Sequence, residues 1–380
     1  MQETVSAGPG QIGADQAPSE VRVKLRTGTG EGSATFIGAA AAALGLVWVI
    51  YERVLPFTGV LGFWLAWYVI FLAVYLIMAR MQWDALEARN RLASVAFATG
   101  GAVALLIVID QVGYTFFKGA GAVFHVNFWT QSLALVGPTT ASMSVGGVLH
   151  AIVGSLEQLG LATLFAVPLG VTAALYLTEI GGGFARVVRT IVEAMTALPD
   201  LVAGLFIYVT LILSLGINQS GFCASVAIGV TIMPIVARAS EVVLRIVPGT
   251  LKEAAYAVGG TQWRTVRDVI LPTARSGLAT AVVLAMARGI GETAPVLLTA
   301  GYTKELNANP FHGPQTSLPL FIFNAIHIFN TRSYDVRGFG AGFVLVVVVL
   351  VLFAIARRIG GTVPGELSKR QRRKLAREAL

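Results

Sequence analysis

The sequence predicts an all-α membrane protein with about eight spanning helices. Of its 380 residues, 55% are hydrophobic and only 13% are charged, and bilayer-length apolar runs recur along the chain. Mean hydropathy is +0.73. A soluble chain carries about a quarter charged residues, so the deficit fits a surface solvated by lipid. A spanning helix needs roughly 20 apolar residues to cross about 30 Å of hydrocarbon.

Candidate spans fall at about 34–51, 58–78, 92–111, 151–177, 198–216, 221–240, 277–299 and 339–357. Residues 1–33 are polar, carry no early apolar stretch of the secretory kind, and read as a disordered cytoplasmic tail. Residues 34–90 form an accessory hairpin, 91–358 the main transmembrane domain, and 359–380 a basic cytoplasmic tail. With an even number of spans both termini share one side. If that side is the cytoplasm, 22 of the 28 Lys and Arg lie inside and five outside, with Arg288 within a span. The opposite orientation inverts the bias that favours cytoplasmic Lys and Arg. The excess of eight positive charges is therefore a topology signal and not a nucleic-acid one. The basic tail also suits contact with anionic membrane lipid. One cysteine, Cys223, excludes an intrachain disulfide, and His125, His150, His312 and His327 show no metal-ligand spacing.

Pro168, Pro199, Pro234 and Pro295 fall in the fourth to seventh spans, which predicts kinked helices there and marks these spans as the working core. The segments 112–150 and 300–338 are long enough to offer an external partner a surface. Asp110 and Asp200 read as helix-end charges, and Glu157 and Glu193 as interfacial ones.

The segment 241–276 is a polar, basic stretch between two apolar runs. It reads as two short helices separated by Gly259-Gly260, since glycine ends a helix at little cost. Leu251, Ala254, Ala255 and Val258 form one apolar stripe, and Trp263, Val266, Val269 and Ile270 another. Pro272 is expected to end the second helix before the seventh span. Two stripes on a loop have to cover something, either their own membrane domain or a docked partner. The chain contains no Gly-Lys dipeptide, so it has no phosphate-binding loop of the G-x-x-x-x-G-K-[ST] type.

In the seventh span Ala281, Ala285, Gly289 and Thr293 recur every four residues, a face that admits a close helix neighbour. Arg288 and Glu292 are also four apart and share a helix face. An arginine within a span costs about 2.5–3.5 kcal/mol on the lenient insertion scale and faces a bundle interior or water cavity. It is either a structural bridge to Glu292 or a pathway group for an anion, to which guanidinium offers a fork of donors.

The string Glu253-Ala254-Ala255, three residues, Gly259, then Val269-x-Leu271-Pro272 resembles the EAA loop of ABC importer permeases. Together with Arg288-Gly289-Ile290-Gly291-Glu292-Thr293-Ala294-Pro295 it resembles the PstA-type permease subunits of bacterial phosphate ABC importers, over about residues 90–358. The two extra spans and Asp200 depart from the family pattern. The resemblance implies a type I ABC importer (MetI-like) transmembrane fold in a bacterial cell membrane. It implies a second homologous permease subunit, two copies of a cytoplasmic ABC ATPase that binds the ATP, and an external phosphate-binding protein. It places Glu253, Ala254, Ala255, Gly259, Leu271 and Pro272 at the ATPase, and Arg288, Glu292 and Thr293 in the substrate pathway. It implies no catalytic residue, metal or cofactor in this chain. The competing readings are a permease for another oxyanion, molybdate or sulfate, and a phosphate-sensing scaffold. The Gly-Glu-Thr-Ala-Pro string is what discriminates phosphate from the other oxyanions, and uptake of labelled phosphate separates transport from sensing.

Overall fold

The computed structural model describes residues 30–54, 59–137, 142–329 and 331–360. The expectations for most of both tails lie outside the described residues. Among the described residues the regular elements are all helical. Seven helices are long and apolar enough to cross a membrane, or eight if one sharply bent pair counts as a span. The chain divides into two compact units, Met1–Ile107 and Val108–Leu380.

In the first unit, α1 (Gly30–Val49) packs on α2 (Val60–Gln82). The contact is aromatic: Phe36 of α1 meets Phe71 of α2 edge-on at 5.3 Å between ring centres, and Trp67 stacks on Phe71 along α2 at 5.7 Å. Such pairs add about 0.5–1.5 kcal/mol beyond area burial. Within this apolar hairpin the polar groups are paired. Trp67 Nε1 donates to Ala40 O at 3.2 Å, and Thr35 Oγ1 donates to Gln82 Oε1 at 2.7 Å. Helix α1 begins before residue 34, so part of the expected tail is helical.

Helix α3 (Ala85–Val123) has 39 residues, so it is roughly 58 Å long at 1.5 Å per residue. That exceeds the hydrocarbon thickness and takes in the first part of the segment expected to be an external loop. After the short α4 (Val126–Thr130) the second unit centres on α5 (Leu149–Leu175), extended by a π-helical turn Tyr176–Ile180, and α8 (Gly221–Arg245). Small residues let these two helices approach. Ala162, Ala166, Ala224, Ile228, Ile232 and Val236 form one buried cluster. Between them in sequence lie α6 (Gly183–Ala197) and α7 (Asp200–Ile207), the latter extended by a π-helical stretch Tyr208–Ser214.

The fifth expected span, 198–216, is thus the second arm of a pair bent by 105° at Leu198-Pro199. Leu198 is extended, the conformation favoured before a proline, and Pro199 caps α7 without occupying its interior. Helix α9 (Gly249–Ala257) follows α8. Then α10 (Gln262–Thr265), a π-helical turn Val266–Ile270 and α11 (Leu271–Gly289) run as one 28-residue rod. Pro272 therefore sits in the first turn of α11 and does not end a helix. The π-turn bond from Leu271 N–H to Val266 O shifts the register just before it, so the N–H that proline lacks is not required there.

The seventh expected span, 277–299, is also broken. Helix α11 ends at Gly289, and α12 (Ala294–Thr299) starts afresh with Pro295 in its first turn. Gly289, Gly291 and Pro295 fall within seven residues. Glycine costs about 1 kcal/mol in a helix, and proline removes a bond to the carbonyl four residues back. Pro168 and Pro234 do lie inside α5 and α8. Of the small face, Ala281, Ala285 and Gly289 are buried, and a Cβ on Gly289 would lie 2.8 Å from Ile232 Cγ2. Thr293 falls beyond the break.

The strap 300–317 folds onto the N-terminal turns of α5. Gln315 Nε2 donates to Glu157 Oε2 at 2.5 Å, and Leu318 N–H donates to Ser155 Oγ at 2.7 Å. Helices α13 (Leu318–Phe323), with its π-helical turn Asn324–Phe329, and α14 (Arg332–Gly360) complete the described residues, so the second expected external segment is an irregular strap up to Ser317 and mostly helical from Leu318. Buried Arg337 on α14 donates to Ser142 O at 2.8 Å and Val145 O at 2.7 Å, pinning the loop before α5.

One contact fixes the two broken helices against each other. A Cβ on Gly204 of α7 would lie 2.5 Å from Pro295 Cα of α12. Gly204→Ala therefore has to push the breaks apart, at about 1–3 kcal/mol. We expect the melting temperature of the detergent-purified chain to fall by several degrees, whereas Gly100→Ala, inside α3 where a Cβ meets open space, does not lower it and raises it slightly through the better helix propensity of alanine.

Candidate functional site

Two places in the second unit gather the residues that the sequence singles out. The first lies where the α6–α7 break meets the α11–α12 break. Each charge there sits at a helix end of favourable sign: Arg288 in the last turn of α11 and Asp200 in the first turn of α7. Helix dipoles attract cations at C-termini and anions at N-termini. Arg288 Nη2 lies 3.2 Å from Asp200 Oδ2 and 3.6 Å from Glu292 Oε1. The Arg288–Glu292 pair expected from the sequence is present, but it spans a turn and not a helix, and the shorter contact goes to Asp200. Asp200 stands at a helix end as expected, yet it is a partner of Arg288. The signal that marks it is an acidic residue directly after a proline in an apolar run.

A cavity of about 300 Å³ opens beside this pair, lined by Asp200, Arg288, Thr196, Thr231, Pro234 and Met195 among others. It has the volume of on the order of ten waters, ample for a small hydrated oxyanion. Glu292 and Thr293 are not among its lining residues. The Glu292 side chain is 10% exposed, against 54% for Arg288. Thr293 caps α12, and its hydroxyl lies 3.5 Å from Gly291 O. Of the three residues expected in the pathway, Arg288 alone thus faces the cavity. Irregular backbone within a membrane protein is tolerated where it is buried in protein or lines a cavity, and residues 290–293 follow directly on Arg288, which lines this one.

The second place is the segment after α8. The chain reverses at Gly259, whose φ of +82° favours glycine. Gly260 N–H donates to Ala255 O at 3.0 Å and closes the end of α9. Thr261 Oγ1 then accepts from Arg264 N–H at 3.4 Å to start α10. Helix α9 has no buried residue. Glu253 and Ala254 are exposed, Ala255 is half-buried, and Leu251, Tyr256, Val258 and Trp263 expose apolar surface together. The first apolar stripe is therefore not covered by this chain's own membrane domain.

The second stripe is split. Val266 and Ile270 are buried with Ala174, Leu244 and Leu278, and half-buried Leu271 packs against that cluster, while Trp263 and Pro272 face outward. The segment is anchored to the end of α5. Lys252 Nζ lies 2.6 Å from Glu179 Oε1, and Gln262 Nε2 donates to Glu179 O at 2.8 Å. Nearby, Glu241 on α8 holds Arg189 of α6 at 3.1 Å and Arg245 at 2.6 Å.

Comparison with known proteins bears on both places. The family model described as "Binding-protein-dependent transport system inner membrane component" matches residues 166–363, which include the cavity and the exposed segment. "Phosphate transport system permease protein PstA 1" of Mycobacterium tuberculosis (strain CDC 1551 / Oshkosh) is 37% identical over 71% of this chain and 88% of its own length. "Phosphate transport system permease protein PstA" of Mycobacterium leprae (strain TN) is 38% identical over 72% and 90%. A crystal structure of a bacterial alginate ABC transporter in complex with alginate pentasaccharide-bound periplasmic protein matches with TM-score 0.50 at 18% identity, covering 73% of this chain and 98% of that one. At that identity the likeness shows a shared fold.

Lys252 gives a direct test of the anchoring. Glu179 is nearly buried, at 7% side-chain exposure, and an unpaired buried charge costs at least about 1–3 kcal/mol. In Lys252→Met we expect the amides of 249–257 to exchange hydrogen about tenfold faster, with α8 amides unchanged, as read by mass spectrometry.

Proposed function

Since the chain belongs to the family of binding-protein-dependent transport system inner membrane components, we propose that it is the permease subunit of an ATP-driven phosphate importer. On this reading it provides half of the translocation pathway and a docking loop for the ATPase. Its fold is the type I ABC importer transmembrane fold anticipated above. The relatives named for phosphate transport support the cargo, as does one observation: the Arg288 guanidinium at a cavity between two broken helices, a fork of donors suited to an oxyanion. The same chemistry serves sulfate and molybdate, so the relatives' names weigh the choice toward phosphate.

The exposed apolar face of α9 supports the docking role. The partners are a second homologous permease, two copies of a cytoplasmic ATPase that holds the ATP, and an external phosphate-binding protein. The charge bias supports an orientation with both termini in the cytoplasm, which puts α9 there as well. Residues 34–90 serve as an accessory hairpin to the domain 91–358. Closure of the ATPases moves α9, and the rod Gln262–Gly289 carries that movement to Arg288 at its far end.

Uptake of labelled phosphate by the reconstituted complex separates transport from a sensing scaffold. Glu253→Lys and Gly259→Pro are expected to lose uptake at least tenfold while the complex still assembles at the membrane; normal uptake in both sinks the docking claim. Arg288→Gln and the double variant Arg288→Gln/Glu292→Gln test the pathway. Unchanged transport in both removes Arg288 as a substrate contact.

A further inference from the structure

An arginine by itself does not distinguish one tetrahedral oxyanion from another, because its donors suit the oxygens of phosphate, sulfate and molybdate alike. The groups around it decide. Asp200 and Arg288 line the same cavity, with Asp200 Oδ2 at 3.2 Å from Arg288 Nη2. The other hydroxyls on the wall already donate to backbone, Thr196 to Val192 O at 2.8 Å and Thr231 to Ile228 O at 2.7 Å. Their oxygens therefore offer lone pairs to a ligand. Glu292 adds a second carboxylate 3.6 Å from the same guanidinium nitrogen, so the three charged side chains sum to one negative charge. A ligand entering here meets one cation and several acceptors.

We propose that Asp200 is a specificity-determining residue that selects oxyanions carrying a proton, inorganic phosphate foremost, over fully deprotonated ones such as sulfate. The inference rests on Arg288 being the phosphate contact. The carboxylates approach Arg288 through Nη2, which leaves donors on Nε and Nη1 for a phosphate oxygen. A P–OH group then donates to the Asp200 carboxylate, and the proton stays on the phosphate. Inorganic phosphate keeps one or two protons at neutral pH, whereas sulfate keeps none. A sulfate oxygen in the same position faces a carboxylate oxygen with no hydrogen between them, so a charge repulsion replaces a hydrogen bond. A site built to pair with a ligand hydroxyl rejects the analogue that lacks it.

The test is calorimetric titration of the complex, purified with its partner subunits but without the external binding protein, with inorganic phosphate and with sulfate at neutral pH. The unmutated complex is expected to bind phosphate at least tenfold more tightly than sulfate. In Asp200→Asn the gap is expected to close to threefold or less, through a gain in sulfate affinity, because the amide supplies a donor and removes the charge. Asp200→Glu is expected to keep the preference for phosphate. Arg288→Gln, expected to lose phosphate binding, separates the two levels of the argument. If Arg288→Gln loses phosphate while Asp200→Asn still rejects sulfate, the role of Asp200 is overturned and that of Arg288 stands. If Arg288→Gln binds phosphate as before, both fall. Equal affinity for the two anions in the unmutated complex, or loss of both anions in Asp200→Asn and Asp200→Glu alike, also overturns the proposal.

Discussion

The Arg288 guanidinium, placed at the end of an apolar rod, requires the structure around it to supply counter-charge, water and a gap in the helix packing. Each requirement is met by a helix break. The chain stops α11 at Gly289, one residue past the arginine, and starts α7 with Asp200 opposite it. Both breaks are followed by a proline-started segment, and the close approach of Gly204 to Pro295 holds those segments together. A continuous seventh helix would have kept Arg288 and Glu292 on one face, but it would have closed the space beside them. The cavity exists because two helices end where they do.

The same rod links the site to the exposed helix α9. Leu271 to Arg288 is an unbroken run of α-helix, about 26 Å at 1.5 Å per residue. Its base is buried against α5 and α8 through Val266, Ile270 and Ala274, and α9 is tied to the same end of α5 by Lys252 and Glu179. A force on α9 therefore acts on a packed base, and packed bases move as units. Near that base, Glu241 joins α6 to α8 through Arg189, so the arm leading to Asp200 is tied to the same end of the bundle. Arg288 and Asp200 are carried by different arms, so any relative movement of those arms would act on the ion pair.

Much of this was legible in the sequence. Apolar runs mark the helices long enough to cross a membrane, and Gly259-Gly260 marks the reversal after α9. Arg288 announced itself as a charge in an apolar run. What the sequence concealed was where helices stop. Pro199 and Pro295 read equally well as kinks inside a span or as first turns of new segments, since proline is tolerated at both. Tertiary packing decides, and here Gly204 against Pro295 selects the second. Pro272 departs from the expectation for the converse reason: the π-helical turn before it, which leaves no mark in composition, lets the rod run on through the proline. Asp200 was read as a helix-end charge and is one. Its partner lies 88 positions away, and no local pattern reports a pairing of that range.

On the reading proposed above, in which the cavity is an anion pathway, a further constraint explains why Arg288 is crowded by acids. Binding has to be strong enough to draw the ion from water and weak enough to release it. A lone buried guanidinium satisfies the first condition and fails the second, because a buried charge pair strengthens as the surroundings lose water. Two carboxylates within ion-pair range reduce that attraction in both directions. They hold the arginine when the cavity is empty, which lowers the cost of keeping it in the bundle, and they compete for it when an anion is present. The charge that limits affinity is then available to choose among anions, since only a ligand that brings its own hydrogen turns the nearest carboxylate from a repulsive neighbour into a partner.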